Sequence, residues 1–308
     1  MRFFVGVTDN EWFDYLAKLR PDEVNFWRPK GKGFGAIEVG EPFLFKLHSP
    51  LDFIAGGGFF VRAERLPLSL AWDVFEQRNG ASDLRELRRL ILSRRRDREL
   101  DPEIGCVILN DPFFFPRDKW IPVPGDWARN IVTGKTYSTD TRSGFELWDR
   151  VSHVLAGLQQ STDGARSWQA VVEQPRFGAE YLARCRLGQG IFRILVTDAY
   201  GRRCAISGEK TLPVLQAAHI KPFADSGPTR VENGLLLRSD LHILFDRGYV
   251  TVTPDHQVEV SRRIKDEFDN GKEYEALHGK RLVVLPQELM DRPNREYLEW
   301  HNERVYLG

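Results

Sequence analysis

The stretch from Cys204 to Asp246 carries two histidines, an asparagine and an aspartate, each in a different local setting. His219 ends an apolar run, Leu215-Gln-Ala-Ala-His219-Ile220, that reads as a strand. Asn233 stands in Glu232-Asn233-Gly234, which reads as a loop. His242 and Asp246 lie one helical turn apart in Leu241-His-Ile-Leu-Phe-Asp246, so their side chains share a face. A strand, a loop and a helix of this kind predict a compact ββα unit gathered round one divalent metal ion. The chemistry that suits such a set is phosphodiester hydrolysis. The attacking water is weak and negative charge builds on the phosphoryl oxygens. A cation relieves that charge, and a base of near-neutral pKa, such as histidine, removes the water proton. Taken singly, His219 reads as a core histidine, Asn233 as a turn residue before Gly234, and His242 as a helix-surface residue.

The joint pattern Ala217-Ala-His-Ile220, Asn233-Gly-Leu-Leu-Leu237 and Leu241-His-Ile-Leu-Phe-Asp-Arg-Gly248 closely resembles HNH endonucleases of the bacterial restriction-type branch. Tyr297-Leu-Glu-Trp-His301 fits that resemblance too. It implies that His219 is the general base, that Asn233 pins the loop or orients the base, and that His242 binds one Mg2+ or Mn2+ ion. Asp246 is then a natural second ligand. The chain departs from the commonest form at Ala218, where many family members place an aspartate or histidine ligand. It departs again at Cys204-Ala-Ile-Ser207, which keeps one cysteine of a Cys-x-x-Cys knuckle, so no structural zinc is expected and Cys204 reads as a buried apolar residue.

The elements that must position these residues emerge from the rest of the chain. A length of 308 residues suits two domains. Lysines and arginines number 44, as do the acids, so the net charge of zero argues mildly against general coating of nucleic acid while allowing a basic face. Three scattered cysteines argue against a disulfide framework and point to a reducing cytoplasm. No apolar run approaches the roughly 20 residues that span a bilayer, and the start of the chain does not read as a signal peptide, so no membrane role is expected.

The expected fold is α+β: a small N-terminal β-barrel with inserted helices over 1–142, a helical linker over 143–187 and the ββα-metal domain over 188–308. In the first part, strands are predicted at Phe3–Val7, Val24–Trp27, Gly40–Leu47, Gly58–Arg62 and Gly105–Leu109. Helices are predicted after Asp9-Asn10, over Leu68–Glu76 and over Ser82–Arg96, and Gly31–Gly35 reads as a loop. Further on, Phe145–Leu158 and Ile191–Tyr200 read as helices, Val283–Pro286 as a short strand and the region from Asn294 as a terminal helix. The basic run Arg85–Arg98 reads as a solvated helix face rather than a phosphate site.

The front part is similar, at the level of fold, to the small-barrel readers of the PUA, EVE and SRA group. That resemblance implies a reader of modified DNA, here 5-methyl- or 5-hydroxymethylcytosine, with an adenine mark or a phosphorothioate linkage as alternatives. A flipped base is read between aromatic faces with a polar group on its edge. Candidate pocket residues are Trp27, Phe26, Phe34, Trp127 and Tyr137, with Asn25 as an edge reader; most aromatic residues in such a domain fill its core. Lys30, Lys32, Lys221 and Arg247 are candidates for the DNA backbone. The whole then reads as a modification-dependent restriction endonuclease acting on double-stranded DNA, with a homodimer attractive because both strands must be cut. The alternatives are an HNH nuclease indifferent to modification and, encouraged by Ala218, a DNA-binding regulator with a degenerate nuclease unit.

Overall fold

The computed structural model describes residues 1–30, 33–97, 99–159 and 188–308. The chain divides into two compact units, residues 1–185 and 186–308. Lys32 and residues 160–187 of the expected linker lie outside the described residues.

The strands of the first unit are β1 (Arg2–Thr8), β2 (Glu23–Arg28), β3 (Pro42–Leu47), β4 (Phe53–Pro67), β5 (Glu103–Phe114), β6 (Ile121–Pro122) and β7 (Gly134–Ser138). They form one seven-stranded sheet in the order β2-β5-β4-β3-β1-β7, with β6 added to β4. β1 and β3 run parallel, and the other pairs are antiparallel. The expected closed barrel is therefore corrected to an open sheet, because β2 and β7 stand at the two ends of the order and do not pair with each other. The apolar runs Gly58–Arg62 and Gly105–Leu109 had suggested short strands. They are the middles of strands of 15 and 12 residues. These pair from Gly56↔Phe114 to Pro67↔Glu103, a long central ladder.

Helix α1 (Asn10–Leu19) starts where Asp9 accepts a hydrogen bond from the Trp12 backbone N–H at 3.0 Å, and it buries Trp12, Phe13 and Leu16. Helices α2 (Leu68–Phe75) and α3 (Leu84–Leu92) are inserted between β4 and β5. In the basic run, Leu87, Leu90 and Ile91 are buried, while Arg89, Arg94 and Arg95 pair with Glu86, Asp9 and Asp97. Helix α4 (Arg142–Gln159) buries Leu147, Val151 and Leu155, and its Trp148 ring lies 5.6 Å from that of Phe3 on the sheet. Among the described residues no helix is long and apolar enough to cross a membrane.

In the second unit, helix α5 (Gln189–Ala199) precedes the antiparallel pair β8 (Leu215–His219) and β9 (Gly234–Arg238), and α6 (Ser239–Asp246) follows β9 without a linker. Leu235, Leu236, Leu237, Leu241 and Phe245 form one buried core with Phe192 and Val196 of α5. Gly234 permits this packing, since a Cβ there would stand 2.5 Å from Val196 Cγ2 and 3.0 Å from Phe192 Cζ. The hairpin β10 (Val250–Val252) and β11 (Val258–Val260) and the last helix, α9 (Arg295–Arg304), complete the support, with α7 (Arg263–Phe268) and α8 (Lys272–Glu275) between them. Residues 283–286 are not a strand, contrary to the sequence reading. The Val283 and Val284 N–H groups both donate to the Ala205 carbonyl, and Val283 is largely exposed.

Candidate active site

The register of the β8–β9 pair sets His219 opposite Gly234, immediately after Asn233. Asn233 is fully buried, and its side-chain amide bonds to backbone groups. Its Oδ1 accepts the Lys221 N–H at 2.9 Å, and its Nδ2 donates to the carbonyls of Lys221 at 2.9 Å and Pro228 at 2.8 Å. The amide thus ties the two ends of the loop that leaves His219. The His219 ring lies flat on Phe192, with centroids 3.9 Å apart and planes 12° apart. Its Nε2 is buried with no hydrogen-bond partner. Burial pushes the His219 pKa down, and the nearby His242 pushes it in the same direction, so the neutral imidazole is favoured.

His242 and Asp246 project from one face of α6, with His242 Nε2 and Asp246 Oδ2 3.3 Å apart. The other ring nitrogen, Nδ1, is 2.8 Å from Gln216 Oε1 on β8. An amide oxygen only accepts, so Nδ1 carries a hydrogen, and Nε2 is the ring nitrogen that faces the carboxylate. α6 is braced from behind by His301, which stacks on Phe245 at 3.8 Å, donates from Nε2 to the Phe245 carbonyl at 3.1 Å and receives the Thr251 hydroxyl at Nδ1. Burial lowers the His301 pKa to about 4.

Residues 204–253 match the HNH_2 family model, described as HNH endonuclease. The second unit carries an HNH endonuclease domain. A solved structure titled "Modification dependent TagI restriction endonuclease" is similar at 14% identity and a TM-score of 0.27, covering 86% of this chain and 61% of that one. The chain thus spans under two thirds of that protein, and the likeness is too low to carry fold or function across. No curated protein sequence matches the chain.

HNH nucleases generally use a divalent metal ion, and the donors present can be tested against one. Among the described residues, no three His, Cys, Asp or Glu side chains gather as a complete ligand set. The pair on α6 fits a partial one. Two donors sharing a hard cation at about 2.1 Å each lie on the order of 3 Å apart. The 3.3 Å between His242 Nε2 and Asp246 Oδ2 is of that order. Ala218, fully buried, adds no donor. The HNH site would therefore leave coordination positions for water and phosphate oxygens.

Lys221, two residues after His219, extends over the Trp300 ring at 5.6 Å, and Arg247 is exposed at the end of α6. Cys204 is buried, and its Sγ accepts the N–H groups of Ser207 and Arg238. Gln216 and Phe192 escaped the sequence reading. The one signal for Gln216 was a polar residue inside an apolar strand, and Phe192 gave none beyond its place on a helical face.

In the first unit, Trp27 and Phe26 line a cavity of about 200 Å³ together with Trp12, Arg28, Arg94 and His48. Trp27 Nε1 donates to the Asn79 carbonyl at 2.9 Å, and the Arg94 guanidinium lies over the Trp27 ring at 5.6 Å. The indole N–H of Trp12 is buried without a partner. The other pocket candidates sit elsewhere. Asn25 is fully buried, donating to Asn79 and to Cys106 Sγ, so it is a core residue and not an edge reader. Phe34 packs on Phe4, Phe43 and Phe60, and Tyr137 stacks on Phe3 while its hydroxyl meets Asp126. Trp127 lies under Lys46, with the ammonium 5.6 Å from its ring. Lys30 is exposed at the end of β2.

Proposed function

We propose that this protein is a modification-dependent restriction endonuclease: residues 1–142 read a modified base in double-stranded DNA, 143–187 connect, and 188–308 cut the backbone. In the cutting unit, His219 is the general base. Nε2 is sealed, so Nδ1 takes the water proton, and burial keeps the ring neutral and ready to accept it near neutral pH. Phe192 holds the plane of the ring, and Asn233 holds the loop that follows it. His242 and Asp246 hold a divalent cation, Mg2+ or Mn2+, whose chemistry when bound is to stabilise negative charge on the scissile phosphate. Lys221 and Arg247 neutralise neighbouring phosphates, as do Lys30 and Lys32 on the reading unit.

The observation that carries the reading of modified DNA is the aromatic cavity of Trp12, Phe26 and Trp27. It is smaller than the roughly 300–1,000 Å³ of sites for drug-sized ligands and suits a single ring. Stacking on the aromatic wall would hold the ring. The expected ligand is a flipped 5-methyl- or 5-hydroxymethylcytosine. The test is cleavage of otherwise identical unmodified, methylated and hydroxymethylated plasmids. Preferential cutting of a modified plasmid supports the reading, and equal cutting of all three refutes it, leaving a nuclease indifferent to modification.

A further inference from the structure

The HNH chemistry leaves one polar contact unexplained. Gln216 is half-buried in β8, between buried Leu215 and the alanines 217 and 218, in a strand whose other residues before His219 are apolar. Its position opposite Leu237 needs no amide, because the β8–β9 ladder is built from backbone groups. Yet its Oε1 lies 2.8 Å from His242 Nδ1 on α6. We propose that Gln216 is a positioning residue for the metal site: it fixes His242 in the Nδ1–H tautomer and aims the Nε2 lone pair at the place it shares with Asp246. This deepens the assignment of His242 and Asp246 as cation ligands and rests on it.

A free neutral imidazole divides its hydrogen between two nitrogens, and a ring with Nε2–H has no donor electron pair to offer a cation there. An acceptor at Nδ1 removes that competing form and stops rotation about the ring's bond to Cβ. The acceptor comes from a strand packed under the helix, so the aim of His242 is set by the tertiary fold and not by its own flexible helix face. The neutral amide also differs from the carboxylate that often backs a metal-bound histidine. It orients the ring without adding negative charge, which leaves the ligand less basic and the cation more readily exchanged. Two outcomes distinguish this from a contact that merely ties β8 to α6. Loss of the acceptor should weaken metal binding without matching loss of stability, and a carboxylate in its place should restore binding or exceed it.

The experiment uses the full chain with a non-cleavable duplex and compares wild type, Gln216→Leu, Gln216→Glu and His242→Ala. Mn2+ binding is read by the loss of the free-ion paramagnetic resonance signal, the His242 tautomer by long-range 1H–15N correlation without metal, and folding by thermal melting. Deleting an outer partner of this kind typically costs about 10–100-fold in metal affinity. The expected result for Gln216→Leu is a fall in Mn2+ affinity of that order, mixed tautomers and a melting transition close to wild type. Gln216→Glu is expected to bind Mn2+ at least as tightly as wild type. Wild-type affinity and a single Nδ1–H tautomer in Gln216→Leu, with affinity lost in His242→Ala, would overturn the role of Gln216 alone. Unchanged binding in His242→Ala would instead overturn the ligand assignment beneath it. Should Gln216→Leu unfold, a Gln216→Glu form with mixed tautomers or weaker binding than wild type would count against the proposal.

Discussion

Replacing Asn233 is the sharpest structural perturbation available at the site. Asn233→Ala removes three hydrogen bonds from a fully buried position; the Lys221 N–H and carbonyl lose this partner, while the Pro228 carbonyl keeps the Arg230 N–H at 3.0 Å. Each net bond is worth about 1 kcal/mol, and stranded buried groups add to that, so the loss should total about 3–5 kcal/mol. Asn233→Asp is the more discriminating variant. One carboxylate oxygen can still accept from Lys221 N–H, but the other then faces two carbonyl oxygens where an amide NH2 stood. In the folded variant the protonated acid is favoured, so its pKa is raised above the unfolded value. The sign follows: the variant's deficit against wild type is smallest at low pH, where the acid is protonated in both states, and grows as pH rises through the folded pKa. Urea unfolding from acid to neutral pH measures the deficit, and amide exchange at Lys221 locates it. A neutral-pH Asn233→Asp protein as stable as wild type, or Asn233→Ala losing less than about 0.5 kcal/mol, would contradict the loop-tying role.

Other outcomes follow from the same geometry. His301 is buried neutral with its pKa lowered to about 4 from 6.5, so the unfolded chain binds more protons between those values. Its contribution, about 3 kcal/mol when complete, is present above the unfolded pKa and is lost as pH falls through the folded one. Unfolding free energies of wild type and His301→Gln should therefore converge as pH is lowered across that window, and parallel curves would refute the assignment. The depressed pKa of His219 predicts an acid limb of cleavage centred below 6.5, and Phe192→Ala should move that limb upward by rehydrating the ring. An unmoved limb would show that Phe192 does not shield the base. In the first unit, Trp27→Phe should lower the preference for modified over unmodified plasmid while leaving the cutting of an unmodified single site intact; unchanged preference would remove Trp27 from the reading cavity.

The cutting unit was legible because its chemistry fixes residue types at short range. A strand, a loop and a helix within one short stretch carry His219, Asn233, His242 and Asp246, so the ladder with His219 opposite Gly234 could be anticipated from alternation and helical spacing. The supports were not legible. Gln216 meets His242, and Phe192 meets His219, across 26 and 27 positions, through packing that Gly234 allows and that no local pattern announces. The first unit was readable element by element and misread as a whole. Apolar runs disclosed the buried parts of β4 and β5, but not that polar Glu64 and Arg65 continue the same ladder, and whether the edge strands β2 and β7 meet is a long-range pairing that no local pattern records. Aromatic identity likewise could not separate Trp27 and Phe26, which line the cavity, from Tyr137 and Phe34, which pack against other rings.

The most direct test of the nuclease account is incubation of supercoiled modified DNA with Mn2+ and either the wild-type chain or His219→Ala, with rates followed under single turnover. The account predicts nicked and linear products from the wild type and a rate at least about 100-fold lower from the variant, the usual scale for loss of a general base. Equal rates from the two proteins would contradict it.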